Sequence, residues 1–96
     1  MRPSDVLDVH RDSVLSIVAG MGMSNLRVFG SVLHGDDSDG SDIDLLVDVP
    51  AGATLVDMVA LQRAIEMEIG LPVDVLTADD LPERFRSMVL AEARPL

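Results

Sequence analysis

Two short motifs in the sequence carry residue types that could bind a phosphorylated ligand. Gly30 and Ser31 follow one short apolar run, and Asp42 and Asp44 open another. A glycine lets a backbone approach a phosphate closely, and the serine beside it offers a hydroxyl. Residues two apart on a strand point to the same face, so Asp42 and Asp44 would aim both carboxylates at one point. The motifs predict a site with a phosphate side and a cation side.

A further aspartate, Asp74, belongs to the same predicted surface. If its strand lies parallel beside the strand of Asp42 and Asp44, its carboxylate shares their face. Carboxylates about 4 Å apart repel by about 4 kcal/mol per pair at an effective dielectric of 20, so the group needs cations. Mg²⁺ prefers oxygen ligands and is commonly shared between carboxylates and nucleotide phosphates. Carboxylates with metal ions on one side and a phosphate-binding turn on the other are typical of in-line attack at phosphorus assisted by two metal ions.

Other acids of the same region do not form an equivalent pair. A second Asp-x-Asp, Asp37 with Asp39, lies in a predicted loop, where the two side chains need not share a face. A calcium-binding loop fails on its spacing, because Gly40 at its sixth position would put Gly35 at the first position instead of an aspartate. The candidate chemistry therefore stays with Asp42, Asp44 and Asp74.

The hydrophobic pattern supplies the elements that must position these residues. Period-two alternation predicts strands at 25–29, 42–49 and 72–77. Apolar residues at helical spacing predict helices at 4–21 and 54–69 and a last helix after residue 80. The expected helix caps are Ser4 for the first helix, Thr54 with Asp57 for the second, and Asp80 with Glu83 for the last.

The order α-β-β-α-β-α predicts an α+β fold, a small mixed three-stranded sheet with helices packed on one face. The segment from the second strand through the helix at 54–69 is long enough to return the third strand parallel to the second. Helices on one face would leave the acid-bearing face of the second strand toward solvent.

The length, net charge and cysteine content of the chain exclude several classes of function. The 96 residues allow one domain, and the net charge of −10 argues against direct binding to nucleic acid or to an anionic membrane. Cysteine is absent, and neither a signal peptide nor a run of 18 apolar residues is visible. These features predict a cytoplasmic protein.

The combined motif resembles a known family. Val-Phe-Gly-Ser at 28–31 is separated by ten residues from Asp-Ile-Asp-Leu-Leu-Val at 42–47, and Val-Asp-Val follows at 73–75. This combination is similar to the DNA polymerase β-like nucleotidyltransferase superfamily. Size and the flanking Gly35 and Ser41 resemble its minimal nucleotidyltransferase (MNT) group. The likeness covers nearly the whole chain, residues 1–96, as a single MNT domain, and includes the closing segment 90–96.

The resemblance implies roles for the residues singled out above. Gly30 and Ser31 would bind the triphosphate of ATP. Asp42 and Asp44 would hold two Mg²⁺ ions, and Asp74 would hold the catalytic one and accept the proton of the acceptor hydroxyl. Relatives often have an arginine where this chain has His34, which predicts a weaker triphosphate contact or an arginine supplied by a partner.

The resemblance also implies a partner. MNT proteins of this size resemble the antitoxin of a toxin-antitoxin pair with a HEPN ribonuclease, and some transfer AMP to a tyrosine of that toxin. A hetero-oligomer with a HEPN-type toxin is therefore expected. Two alternatives remain open at this point: a non-catalytic antitoxin that occludes its toxin, and a stand-alone transferase for a small molecule.

Overall fold

The computed structural model describes residues 1–38 and 40–96 and confirms an α+β architecture. The helices are α1 (Pro3–Val9), α2 (Arg11–Gly20), α3 (Ser31–His34), α4 (Leu55–Ile69) and α5 (Glu83–Glu92). The strands are β1 (Ser24–Phe29), β2 (Ile43–Asp48), β3 (Val73–Leu76) and β4 (Arg94–Pro95), and a 3-10 turn (Ala78–Asp80) follows β3. Asp39, one acid of the loop pair, lies outside the described residues. None of the helices in this described part is long and apolar enough to cross a membrane.

The strands form a mixed sheet in the order β3-β2-β1-β4. β1 pairs antiparallel with β2, and β3 pairs parallel with β2 after the chain has passed through α4. The parallel return and the mixed character of the sheet are confirmed. The helical connection of fifteen residues provides the length that a parallel crossover needs.

The predicted number of strands is wrong, because the described sheet has four strands rather than three. Arg94 and Pro95 pair antiparallel with β1, and the Leu96 N–H donates to the Leu26 carbonyl at 3.1 Å. A segment of two residues shows no alternation, and its proline is tolerated because β4 lies at the edge of the sheet. The sequence therefore gave no periodic signal for this strand.

The predicted first helix is two helices that meet at His10. α1 buries Leu7, and α2 buries Val14 and Val18. These residues are spaced as in one continuous helix, so periodicity could not indicate the break. The predicted cap at Ser4 is also wrong, since α1 begins with Pro3 after Arg2.

The main core lies between the helices and one face of the sheet. Ile43, Leu45 and Val47 on β2 are all 0% exposed and pack with fully buried residues of α2 and α4. The predicted capping box of α4 is present: the Thr54 N–H donates to Asp57 Oδ2 at 2.8 Å, and the Asp57 N–H donates to Thr54 Oγ1 at 3.4 Å. The buried face of β2 thus fixes the strand that carries the acids on its other face.

The acid-bearing face of the sheet is covered in part. Leu46, on the same face as Asp44, is 0% exposed although it lies outside the main core. The 3-10 turn contacts β2, and Asp80 caps that turn by accepting the Thr77 N–H at 2.9 Å. The predicted role of Asp80 as a cap of α5 is therefore wrong, since that helix begins after Pro82.

Candidate active site

The turn from β1 into α3 places the backbone of Gly30 against the carboxylate of Asp44. Gly30 has a φ of 75°, a left-handed conformation that side chains rarely adopt. A Cβ at this position would overlap Asp44 Oδ2 and would lie 3.1 Å from Asp44 Cγ. Glycine is therefore required here for two independent reasons. Ser31 follows at the start of α3 and is half-buried beside this contact.

The parallel register places two of the predicted acids side by side. Asp44 on β2 is the direct partner of Asp74 on β3, and Phe29, one residue before Gly30, is its partner on β1. Asp42 lies immediately before β2 and is exposed, as is Asp74, whereas Asp44 is half-buried. The structure thus brings Gly30, Asp44 and Asp74 together across three strands.

Asp44 is affected by its burial and by the like charges of its neighbours. Burial raises the pKa of the Asp44 carboxyl above its ordinary value, and the charges of Asp74 and then Asp42 raise it further. A raised pKa means that the charged carboxylate is held at a cost in free energy. A cation beside the three acids would remove that cost.

The donor chemistry fits Mg²⁺, although the ligands are not fully assembled. Within residues 1–38 and 40–96, no group of three or more metal-ligating side chains already stands close enough to hold an ion. The neighbours Asp44 and Asp74 offer hard oxygen atoms, and the exposed Asp42 adds a third carboxylate nearby. Mg²⁺ keeps several waters and commonly takes one or two carboxylates plus phosphate oxygens, so this set suits it.

His34, the predicted departure from the family pattern, contacts α5. Its Nε2 lies 3.3 Å from Glu92 Oε2, and both side chains are about half exposed. The two residues line a groove of about 340 Å³ between α3 and the end of α5. The helix that begins with Ser31, α3, is therefore connected to α5 through an exposed pair.

Sequence reasoning missed the role of Asp37, which it treated as an ordinary loop acid. Asp37 is 5% exposed and accepts the Ser4 N–H at 2.9 Å and an Arg2 N–H at 2.8 Å. The hydrogen bond from the Ser4 backbone, followed by the contacts with Arg2, outweighs burial and lowers the pKa of the Asp37 carboxyl below its ordinary value. No local pattern could have revealed these partners, which lie 33 and 35 residues away in the chain.

Comparison with known proteins identifies the family. The family described as nucleotidyltransferase domain matches residues 9–96. The chain belongs to this family. The family predicted from the Gly-Ser and Asp-x-Asp motifs is thereby confirmed, and the chain is a nucleotidyltransferase.

Two relatives of this nucleotidyltransferase have named activities. A protein of Methanocaldococcus jannaschii named putative protein adenylyltransferase MJ0435 is 32% identical over 80 residues, which cover 83% of this chain and 86% of the relative. Protein adenylyltransferase MntA of Thermococcus cleftensis is 32% identical over 71 residues, which cover 74% of this chain and 72% of the relative.

Solved structures agree with the fold. A structure of a putative minimal nucleotidyltransferase has a TM-score of 0.85 at 42% identity and covers 97% of this chain and 95% of that chain. A toxin-antitoxin crystal structure with AMP-PNP has a TM-score of 0.75 at 15% identity and covers 88% of this chain and 69% of that chain. The second likeness concerns the fold alone. The individual roles of Gly30, Ser31, Asp42, Asp44 and Asp74 stay predictions.

Proposed function

We propose that this nucleotidyltransferase transfers AMP from ATP to a hydroxyl of a partner protein, and that the partner is a HEPN-type toxin that the transfer neutralises. The observation that carries the proposal is the placement of Asp44 beside Asp74 and against Gly30. The carboxylate pair thus lies directly beside the turn predicted to bind phosphate, so a cation held by the acids would be close to a phosphate held at that turn.

In this proposal the residues divide the work of phosphoryl-group chemistry. Asp42, Asp44 and Asp74 would hold Mg²⁺, which when bound neutralises charge on the transferred phosphate. Gly30 and Ser31 would orient the triphosphate. The acceptor oxygen attacks the α-phosphorus in line, pyrophosphate leaves, and the exposed Asp74 carboxylate accepts the hydroxyl proton.

A protein acceptor is supported by charge and by the named relatives. The chain carries a net charge of −10, which would attract a basic, RNA-handling partner and repel nucleic acid itself. Two relatives at 32% identity are named as protein adenylyltransferases. The toxin-antitoxin structure that shares the fold supports a toxin as the acceptor.

The test is transfer of label to the partner. The chain, ATP labelled at the α-phosphate, Mg²⁺ and the product of a neighbouring HEPN-type gene are incubated, and labelled protein is resolved by electrophoresis. Because the chain contains no tyrosine, a label on tyrosine must lie on the partner. We expect labelling that EDTA abolishes.

Asp42→Asn is the test variant, and Asp48→Asn is its matched control. Asp48 lies at the other end of β2 and pairs with Arg27 at 2.7 Å, with its side chain 55% exposed. We expect Asp42→Asn to lose labelling and Asp48→Asn to keep it. Equal labelling by both variants, or labelling that persists in EDTA, would overturn the proposed role of the acids.

A second candidate function, neutralisation by occlusion, is favoured by the apolar surface of α4. Leu55, Val56 and Met67 are 79%, 75% and 86% exposed, which suits a contact with another protein. Under occlusion, an Asp42→Asn/Asp44→Asn double variant would protect cells from the toxin as well as the parent does. Loss of protection in that variant, with binding to the toxin retained, would favour catalysis.

A further inference from the structure

The loop from Gly35 to Asp42 joins the two sides of the candidate active site. It leaves the end of α3, the helix that opens with Ser31, and it delivers Asp42 to the start of β2. Gly35 and Gly40 have φ values of 72° and 90°, so the backbone turns sharply at two points of the loop. The β1–β2 pairing places Asp44, whereas Asp42 lies before β2 at the end of this loop, so the position of Asp42 depends on how the loop is held.

Asp37 ties the middle of this loop to α1. It is the one buried charged residue in residues 1–38 and 40–96. A buried carboxylate persists only when its oxygens are hydrogen-bonded and its charge is paired. The Ser4 N–H at 2.9 Å supplies the hydrogen bond, and the Arg2 guanidinium at 2.8 Å supplies the opposite charge.

Arg2 holds the loop at more than one atom. Its Nη2 donates to the Gly35 carbonyl at 2.6 Å as well as to the Asp37 carboxylate, and its Nε donates to the Asp37 carbonyl at 3.1 Å. The planar guanidinium fixes direction as well as distance when it donates to several oxygens. Since Pro3 and Leu7 anchor α1 by burial, the loop is tied to a rigid part of the molecule.

The other hydrogen bonds of the described loop residues, 35–38 and 40–42, are local. The Ser38 N–H donates to Ser41 Oγ at 2.9 Å, and the Ser41 N–H donates to the Ser38 carbonyl at 2.9 Å. These bonds shape the loop's far half without tying it to another helix. The contacts of Asp37 and Arg2 therefore decide where the loop stands relative to the body of the protein.

We propose that Asp37 and Arg2 are positioning residues for nucleotidyl transfer: by pinning the loop to α1 they hold Asp42 at a fixed place relative to Gly30 and Ser31. The inference rests on the proposed function, since it takes those residues as the two sides of the nucleotide site. Misplacing a catalytic group by about 1 Å can cost about a hundredfold in rate, so a loosened loop would be felt in catalysis.

The test compares Arg2→Gln and Asp37→Asn with Asp48→Asn. Asp48→Asn removes an ion pair of similar length, 2.7 Å, that lies away from the loop. Each variant is assayed for kcat and KM for ATP, for the Mg²⁺ concentration at half-maximal rate, and for the Kd of AMP-PNP with Mg²⁺. Circular dichroism melts give the temperature range in which each variant is folded.

We expect both loop variants to lose kcat by about tenfold or more and to need more Mg²⁺ at temperatures where they are folded. Asp48→Asn should match the parent, and Arg2→Lys, which restores the charge, should recover part of the loss. A lower Tm with unchanged kcat, Mg²⁺ dependence and Kd would overturn the inference, and so would failure of both loop variants to fold, because Asp37 would then be needed for folding alone.

The result is separable from the proposed function. If the parent chain labels no partner protein, the proposed function fails, and the Kd of AMP-PNP measured with Mg²⁺ alone decides the positioning role. Weaker AMP-PNP binding in the two loop variants than in Asp48→Asn would still support it. If the parent labels its partner and the loop variants do so at the same rate, the proposed function stands and the positioning role is wrong.

Discussion

Asp37 and Asp44 are both withdrawn from water, yet their surroundings act on them in opposite ways. Asp37 accepts a backbone N–H and faces an arginine, and its pKa is lowered. Asp44 is half-buried beside Asp74 and near Asp42, and its pKa is raised. The first acid therefore contributes to stability at neutral pH, whereas the second costs stability. An acid held at such a cost indicates a site where a cation is expected to bind.

The largest effect is expected for Asp44→Asn, on the rate of nucleotidyl transfer. Asp44→Asn keeps the shape of the side chain and removes its charge, so we expect transfer to fall by about a thousandfold, which corresponds to about 4 kcal/mol in the barrier. Relief of the repulsion from Asp74 should leave the free energy of unfolding unchanged or higher. Single-turnover rates and urea unfolding measure the two quantities, and a lower unfolding free energy with full activity would contradict the comparison.

Gly30→Ala should break the arrangement around Asp44. With φ 75° and ψ −152°, Gly30 occupies a backbone region that side chains rarely adopt, at a cost of about 1–3 kcal/mol, and the new methyl group would also displace the Asp44 carboxylate. We expect a lower free energy of unfolding together with loss of transfer. Gly52→Ala is the control, because its φ of 89° is also unfavourable for a side chain while nothing lies within 4 Å of its Cβ position. Loss of stability without loss of transfer in Gly30→Ala would mean that the carboxylate is free to move.

Acidification should change the two acids' contributions to stability in opposite directions. Asp37 has a folded pKa below its ordinary value near 3.8, so its contribution is present above that value and is lost as the pH falls toward the folded pKa. Asp44 has a raised folded pKa, so protonation as the pH falls removes a cost and favours the folded state. Urea unfolding from pH 6 to pH 3 should show a shallower acid loss for Asp37→Asn than for the parent and a steeper one for Asp44→Asn. Parallel curves for all three proteins would show that neither shift exists.

The smallest effect is expected for Asp48→Asn. Asp48 lies four residues after Asp44 on the same strand, but its side chain is 55% exposed and pairs with Arg27. Exposed ion pairs contribute about 0–1 kcal/mol, so stability should change little and the transfer rate should not change. A large loss of rate in this variant would extend the active site along β2 and weaken the distinction between the acids.

Patterns within short stretches of sequence correctly predicted the structural features that depend on neighbouring residues. The capping box of α4, its end at residue 69, the parallel return of β3 and the shared face of Asp44 and Asp74 follow from helical and strand patterns over short windows. The resemblance to the nucleotidyltransferase family, carried by the Gly-Ser and Asp-x-Asp motifs, was also confirmed. The cap residues, the strand aspartates and the length of the helical connection were therefore enough to predict these features.

Features that depend on distant partners could not be predicted. Asp37 is buried by residues more than thirty positions away, and β4 exists only because β1 offers it an edge. The break at His10 interrupts a helix without interrupting its apolar spacing. For Asp37 and β4, the deciding interaction is formed in three dimensions with a segment distant in sequence.

The burial of Leu46 has a consequence for the direction from which substrates arrive. The 3-10 turn contacts β2, and Leu46 lies buried two residues beyond Asp44 on its face of the sheet. Access along the middle of β2 is blocked, and the exposed Asp42 and Asp74 mark the open approach where β2 and β3 begin. We therefore expect ATP and the acceptor side chain to enter from this end of the sheet. A bound partner protein would then also block the dissociation of ATP.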